Sequence, residues 1–442
     1  MSDPEYDGVY ASRRARVLER LGPDGALLLA AAPELRSGYD GELRYLPAAD
    51  FYYLTGYVEP EAVLVLCPSA EQPFTLFVRP RDADRERWSG ARGGEEAARE
   101  RYGADAAFDI AELVNRLPSL VGKALTLFAP IESGRAEVDA AVSAAVSAGR
   151  RARARTGRGA GALADPHALL APLRVRKDEH ELALMRQAAR ITVEGFADAA
   201  RAVRGATGEW QVEAALEHGF RSRGAMGPAF PSIVAGGANA TVLHYVSNAA
   251  PLVPGSLLLV DAGARADMYC ADVSRTLPVD GRFTPEQRDL YEVVRAAHGA
   301  ALACVQPGRA ADELENAALR VLVDGMRDLG LLSGDTDTLL EQRAYRRYYP
   351  HRTSHWLGLD VHDPADYVDA AGTALGLEAG MVLTIEPGLY LPADDEDAPA
   401  ALRGTGIRLE DDVLVTPIGH EVLTAALPLA PDDVEALMGS AG

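Results

Sequence analysis

The sequence has 442 residues, 48% of them hydrophobic and 25% charged, the make-up of an ordinary globular protein long enough for two domains. A formal net charge of −21 and a pI near 4.9 exclude general nucleic-acid binding. The acidic start MSDPEYDG has no signal-peptide pattern, and the early apolar run ALLLAAAP is too short to cross a membrane. Three scattered cysteines (Cys67, Cys270, Cys304) suit a reducing compartment, so a cytoplasmic protein without membrane attachment is expected.

In chain order, ASRRARVLERL predicts a helix, and ALLLAAAP, DFYYLTGY, EAVLVLCP and FTLFVRP predict short strands. Helical stretches follow at Glu95–Tyr102 and Ala136–Ala148, giving a small α/β domain. The basic segment GRRARARTGRGAG (Gly149–Gly161) resembles a nucleic-acid arm or a dinucleotide loop, but no strand leads into its glycines. It reads as a solvated helix end running into a linker. The domain boundary is placed near Pro172, giving domains 1–172 and 173–442.

From Lys177 the texture changes. KDEHELALMRQAARITVEGFADAARAV and GEWQVEAALEHGFRSRGA are amphipathic helices, and TPEQRDLYEVVRAAHGAALACV and DELENAALRVLVDGMRDLG form a later pair. Strand-like runs between and after these pairs predict helices backed onto an antiparallel sheet, an α+β arrangement.

Those runs carry unusual residues: Asp261 in LLLVDAG, Asp272 in YCADVSRTLPV, His355 in SHWLGLDVHD, Glu386 in VLTIEPGLY and Glu410 in GIRLEDDVLV. Ionisable groups interrupt β-rich apolar runs at a cost unless paired or bound to metal. Asp261 and Asp272 are eleven residues apart across a glycine-containing turn, a spacing that lets neighbouring strands set carboxylates side by side. Taken singly, each has a bland alternative: a cap, a surface acid or a packed histidine. Four carboxylates converging on one site would repel one another, and two divalent cations would balance them. Oxygen-rich ligands with one imidazole favour manganese over cobalt, iron or zinc. No CxxC, HExxH, serine elbow or P-loop is present.

The ordered set HYV, VDAG, ADVSRTLPV, SHWLGLDVHD, LTIEPGLY and GIRLEDD resembles the aminopeptidase P and prolidase group of pita-bread metallopeptidases, nearest to its Xaa-Pro aminopeptidase branch. DFYYLTGYVEPEAVLVL and RDADRERWSG extend the resemblance into the first half, so the first domain is expected to be of the creatinase/prolidase N-terminal type. The resemblance implies that Asp261 and Asp272 hold a first metal, with Asp272 reaching the second. His355 and Glu386 would complete the second, and Glu410 would bridge both. A water or hydroxide between the ions would attack the Xaa-Pro bond, with Glu386 as general base and then acid. His244 and His362 would bind the peptide and stabilise the oxyanion, and His351 would lie beside the proline. Arg408 and Tyr390 would support the ligands and substrate. Trp88 would be an aromatic presented to the proline pocket of its own or a neighbouring subunit, in a homodimer or homotetramer. Cys270, two residues before Asp272, is expected to be packing.

The resemblance has one departure. The family carries glycine after the histidine matching His351, whereas this chain has Arg352, which could grip a free carboxylate as a dipeptidase requires. Release of the residue before proline from longer peptides is therefore the leading expectation. An Xaa-Pro dipeptidase is the alternative, and a non-catalytic binding protein of the same fold is a third, disfavoured by the filled ligand positions.

Overall fold

A computed structural model describes residues 4–38 and 41–439. The chain divides into two compact units, Met1–Leu173 and Arg174–Gly442.

In the first unit, alternating apolar runs assemble a six-stranded mixed sheet. Its spatial order is Ala106–Asp109, Phe74–Val78, Val63–Leu66, Gly25–Ala30, Thr126–Phe128 and Ala162–Ala164. The three central strands pair antiparallel and the flanking ones join parallel. Val65, Phe77, Leu117, Leu127 and Val138 share one core, so helices Leu113–Leu120 and Ala136–Thr156 bury their apolar sides there. The second of these helices continues to Thr156, with Arg150, Arg151, Arg153, Arg155 and Arg158 exposed along and beyond its end.

The segment DFYYLTGY is not a strand. Ala49–Thr55 is helical, and Phe51 to Thr55 are all buried. The strand preference of aromatic residues reflects packing on a half-buried surface, and a segment enclosed on every side has no such constraint. Gly56 ends the helix at φ +63°, its N–H bonding to the Tyr52 carbonyl.

The second unit pairs helix Glu179–Val203 with Glu209–Ser222, and Pro285–Ala303 with Ala311–Asp328. Asp178 with Glu181 and Thr284 with Gln287 form capping boxes at the starts of the first and third of these. The helices surround antiparallel strands, and Phe196, Leu216, Val260, Leu290, Leu322 and Val413 belong to one core. Strand Leu257–Ala262 lies between Ile233–Gly236 and Val273–Pro278, with Asp261 opposite Ser274. Strand Val382–Ile385 pairs with Asp411–Thr416, and Gly388–Leu391 with Thr405–Arg408.

Candidate metal centre and active site

Side-chain alternation along Leu257–Ala262 puts Asp261 near the end of a fully buried strand, two residues before Gly263. A Cβ on Gly263 would lie 1.6 Å from the Ala271 carbonyl oxygen, so only glycine lets the chain return closely enough to set Asp272 beside it. Glu386 follows strand Val382–Ile385 directly. Glu410 sits in the break between Thr405–Arg408 and Asp411–Thr416 rather than within a strand. The break lets its backbone N–H bond to the Ser274 carbonyl while its side chain accepts from the Ser274 hydroxyl at 2.9 Å.

The imidazole of His355 is the meeting point. Its Nε2 lies 3.4 Å from Asp272 Oδ2, 3.7 Å from Glu386 Oε1 and 3.9 Å from Glu410 Oε1. Its Nδ1 lies 3.1 Å from the Trp356 carbonyl, which can only accept, so Nδ1 carries the proton and Nε2 offers a lone pair to the cluster. Ligand atoms of Asp272, His355 and Glu410 all fall within 4.8 Å of one another. Among the described residues Asp261 Oδ1 and Asp272 Oδ1 are buried with no hydrogen-bond partner, as suits oxygens that would ligate a cation. The donor set therefore fits a hard or borderline divalent metal.

Electrostatics agree. Burial raises the carboxyls of Asp272 and Glu410 well above the ordinary range, and neighbouring carboxylates add to the rise. Burial pushes Glu386 up to about 7 against the opposing pull of His355 and Arg408.

Around this cluster runs a chain of hydrogen bonds. Arg408 is buried and donates to Asp261 Oδ2 at 2.6 Å, to Ser274 Oγ at 2.9 Å and to Tyr390 Oη at 2.8 Å. Those contacts make it a positioning residue for Asp261, in keeping with the ligand-supporting place the sequence suggested. Tyr390 Oη lies 2.8 Å from His351 Nε2, and His351 Nδ1 lies 2.8 Å from the Arg352 carbonyl and 3.4 Å from Glu386 Oε2. Burial, aided by Arg408, pushes His351 down to about 3, so it stays a neutral imidazole.

His362 stacks edge-on against His355, ring centres 4.2 Å apart, and opens to solvent. His244 is exposed and lies within electrostatic range of both His351 and His362. Cys270 is buried beside the Leu359 carbonyl and is packing, not ligand. Arg352 is exposed, its guanidinium 5.6 Å from the Tyr367 ring centre. Trp88, on helix Ala83–Ser89 of the first unit, is 91% exposed.

Three groups escaped the sequence reading. Asp412 is buried and accepts the Asp272 N–H at 3.2 Å through both oxygens. Burial would raise Asp411, but Arg275 at 2.8 Å and His298 at 3.2 Å hold it at about 2. Glu209, at a helix start, accepts from Gly236 N, Asn239 Nδ2, Tyr245 Oη and Ala250 N at 2.8–2.9 Å, clamping both ends of the loop that carries His244. The only sequence signal for these was acidity beside a motif or at a helix start, a pattern most helices share.

Four carboxylates and an imidazole, set at the ends of antiparallel strands and in the turns between them and framed by paired helices, define a metallopeptidase of pita-bread architecture. Residues 183–417 match the model of metallopeptidase family M24, and residues 10–128 that of the aminopeptidase P N-terminal domain. The chain belongs to family M24. It is 38% identical to the Xaa-Pro aminopeptidase of Haemophilus influenzae over 431 residues, covering 97% of this chain and 96% of that one. Among solved structures it resembles aminopeptidase PepP of Pseudomonas aeruginosa, with TM-score 0.93, 39% identity and 99% and 98% of the two chains covered. It also resembles zinc-substituted aminopeptidase P of Escherichia coli in complex with product, with TM-score 0.92, 37% identity and 98% of each chain covered.

Proposed function

We propose that this enzyme removes the N-terminal residue from peptides with proline in second position. The observation that carries the reading is the convergence of Asp272, His355 and Glu410 on one point, with Asp261 and Glu386 beside it, in a chain matching Xaa-Pro aminopeptidases over nearly its whole length. Asp261, Asp272, His355, Glu386 and Glu410 would hold two divalent ions, manganese being the expected native metal. Bound there, such ions supply an activated water and electrophilic assistance to the scissile carbonyl.

The chain's own residues do the rest. Glu386, beside His355 and His351, can take a proton and then deliver it to the departing proline nitrogen. His362 and His244 line the open side, where their N–H groups can bind the oxyanion as the carbonyl becomes tetrahedral. His351, neutral and fixed between Tyr390 and the Arg352 carbonyl, offers an uncharged wall beside Glu386 for the proline ring. Proline's amide nitrogen lacks the N–H that other peptidases grip, so shape must replace that hydrogen bond.

In this reading the first unit governs oligomerisation and substrate access, with Trp88 as the aromatic it presents and the homodimer or homotetramer as the working form. The enzyme works on cytoplasmic peptides; among the described residues no helix is long and apolar enough to cross a membrane. The test is hydrolysis of matched Xaa-Pro and Xaa-Pro-Yaa peptides by manganese-loaded protein. Cleavage of the longer peptides at least as well as the dipeptides is expected. Activity confined to dipeptides and lost with Arg352→Gly would make the enzyme a dipeptidase.

A further inference from the structure

Within the second unit lies a cavity of about 710 Å³ that His351 lines and that extends past it to side chains the proposed mechanism does not use. Its size is that of a ligand pocket. Arg343, Arg346 and Arg352 line it, and among the described residues none of the three has an ion-pair partner. The next residue in sequence, Arg347, shows the contrast: it pairs with Asp395 at 2.6 Å and Asp397 at 2.8 Å.

Two features make this wall built rather than incidental. Trp356 stacks on Tyr367 with ring centres 5.3 Å apart and planes at 13°, and the Arg352 guanidinium lies over the same Tyr367 ring. A guanidinium on an aromatic platform keeps its flat fork free to meet a carboxylate. Arg343 adopts φ +55°, a conformation costly for a side chain with a Cβ and one that functional sites tend to retain. Two acids also line the cavity. Glu315 accepts the Thr353 N–H at 2.7 Å, and Asp312 is the other acid on the lining.

We propose that this cavity is a carboxylate-binding subsite for the part of the peptide beyond the scissile bond, an inference that rests on the peptidase reading above. Its ligand is a peptide carboxylate, either the C-terminus of a short substrate or an acidic side chain further along. The guanidiniums supply the paired N–H donors that recognise such a group. Arg352, over the Tyr367 ring, then sets selectivity among longer peptides.

Calorimetry on the manganese-loaded protein tests this without requiring catalysis. The probes are Pro-Leu as free acid, Pro-Leu amide, and Pro-Glu amide, in which the side chain bears the only carboxylate. The acid, the Pro-Glu amide or both should bind about tenfold more tightly than Pro-Leu amide. That preference should shrink towards unity in Arg346→Gln and Arg352→Gln. Equal affinity for all three probes, or an unchanged preference in both variants, would overturn the subsite. Separately, loss of Xaa-Pro-Yaa cleavage with the binding preference intact would sink the activity reading and leave the subsite standing.

Discussion

Arg408 and Asp261, 147 residues apart in sequence, meet at 2.6 Å in the interior, and through this pair the metal site is tied to the rest of the fold. The guanidinium fixes one oxygen of Asp261 and leaves the other without a partner, directed to the cluster. It also brings a further positive charge to a balance that four carboxylates and two divalent ions would otherwise share alone. An anionic nucleophile or oxyanion is then tolerated.

Arg408→Met should therefore do more than remove a contact. It strands Asp261 and Ser274 in a buried setting, and breaking a buried pair costs about 3–5 kcal/mol. Urea unfolding of the metal-free protein reads this directly. A loss below about 1 kcal/mol would mean that Asp261 is solvated in solution rather than held by Arg408.

The raised carboxyls set a pH dependence whose sign reverses with metal. In the metal-free protein Asp272, Glu386 and Glu410 hold protons more tightly folded than unfolded, so stability is present at low pH and declines as pH rises from the ordinary carboxylate range through about 7. Metal must displace those protons, so affinity should climb over the same window and loading near pH 7 should release protons. Calorimetry in buffers of different ionisation enthalpy measures the release. A release of zero would show the carboxyls already ionised.

His362 separates catalysis from metal binding, because it stacks on His355 without joining the ligand cluster. His362→Ala should keep both ions, by elemental analysis, and lose about 2.7–4 kcal/mol of transition-state stabilisation. Wild-type turnover with metals intact would return His362 to a packing role.

Glu209 offers a test of positioning at a distance. Glu209→Gln replaces one accepting oxygen with an amide that faces donors, which should cost about 1–3 kcal/mol of stability. Loosening the His244 loop should lower kcat by up to about a hundredfold while metal content stays constant. If kcat holds and only stability falls, the clamp is structural alone.

The candidate ligand motifs stand out in the sequence because each is local: an acid at the end of an apolar strand, a histidine in a turn, a glycine where two segments must touch. Such patterns report burial, and burial of charge is costly enough to betray a function. The helix pairs were legible from periodicity for the same reason. What only the tertiary structure decided lies between distant segments. The Arg408–Tyr390–His351 chain, the seat of Asp272 on Asp412, and the Glu209 clamp join residues whose spacing in sequence carries no geometric information. The segment DFYYLTGY became a helix because enclosure on all sides overrode a preference that only a half-buried surface expresses. Arg408 itself shows the division. Its place two residues before Glu410 marked it as important from the sequence, but which groups its nitrogens hold was settled by folding, since a guanidinium reaches whichever acceptors the packed strands bring within about 3 Å.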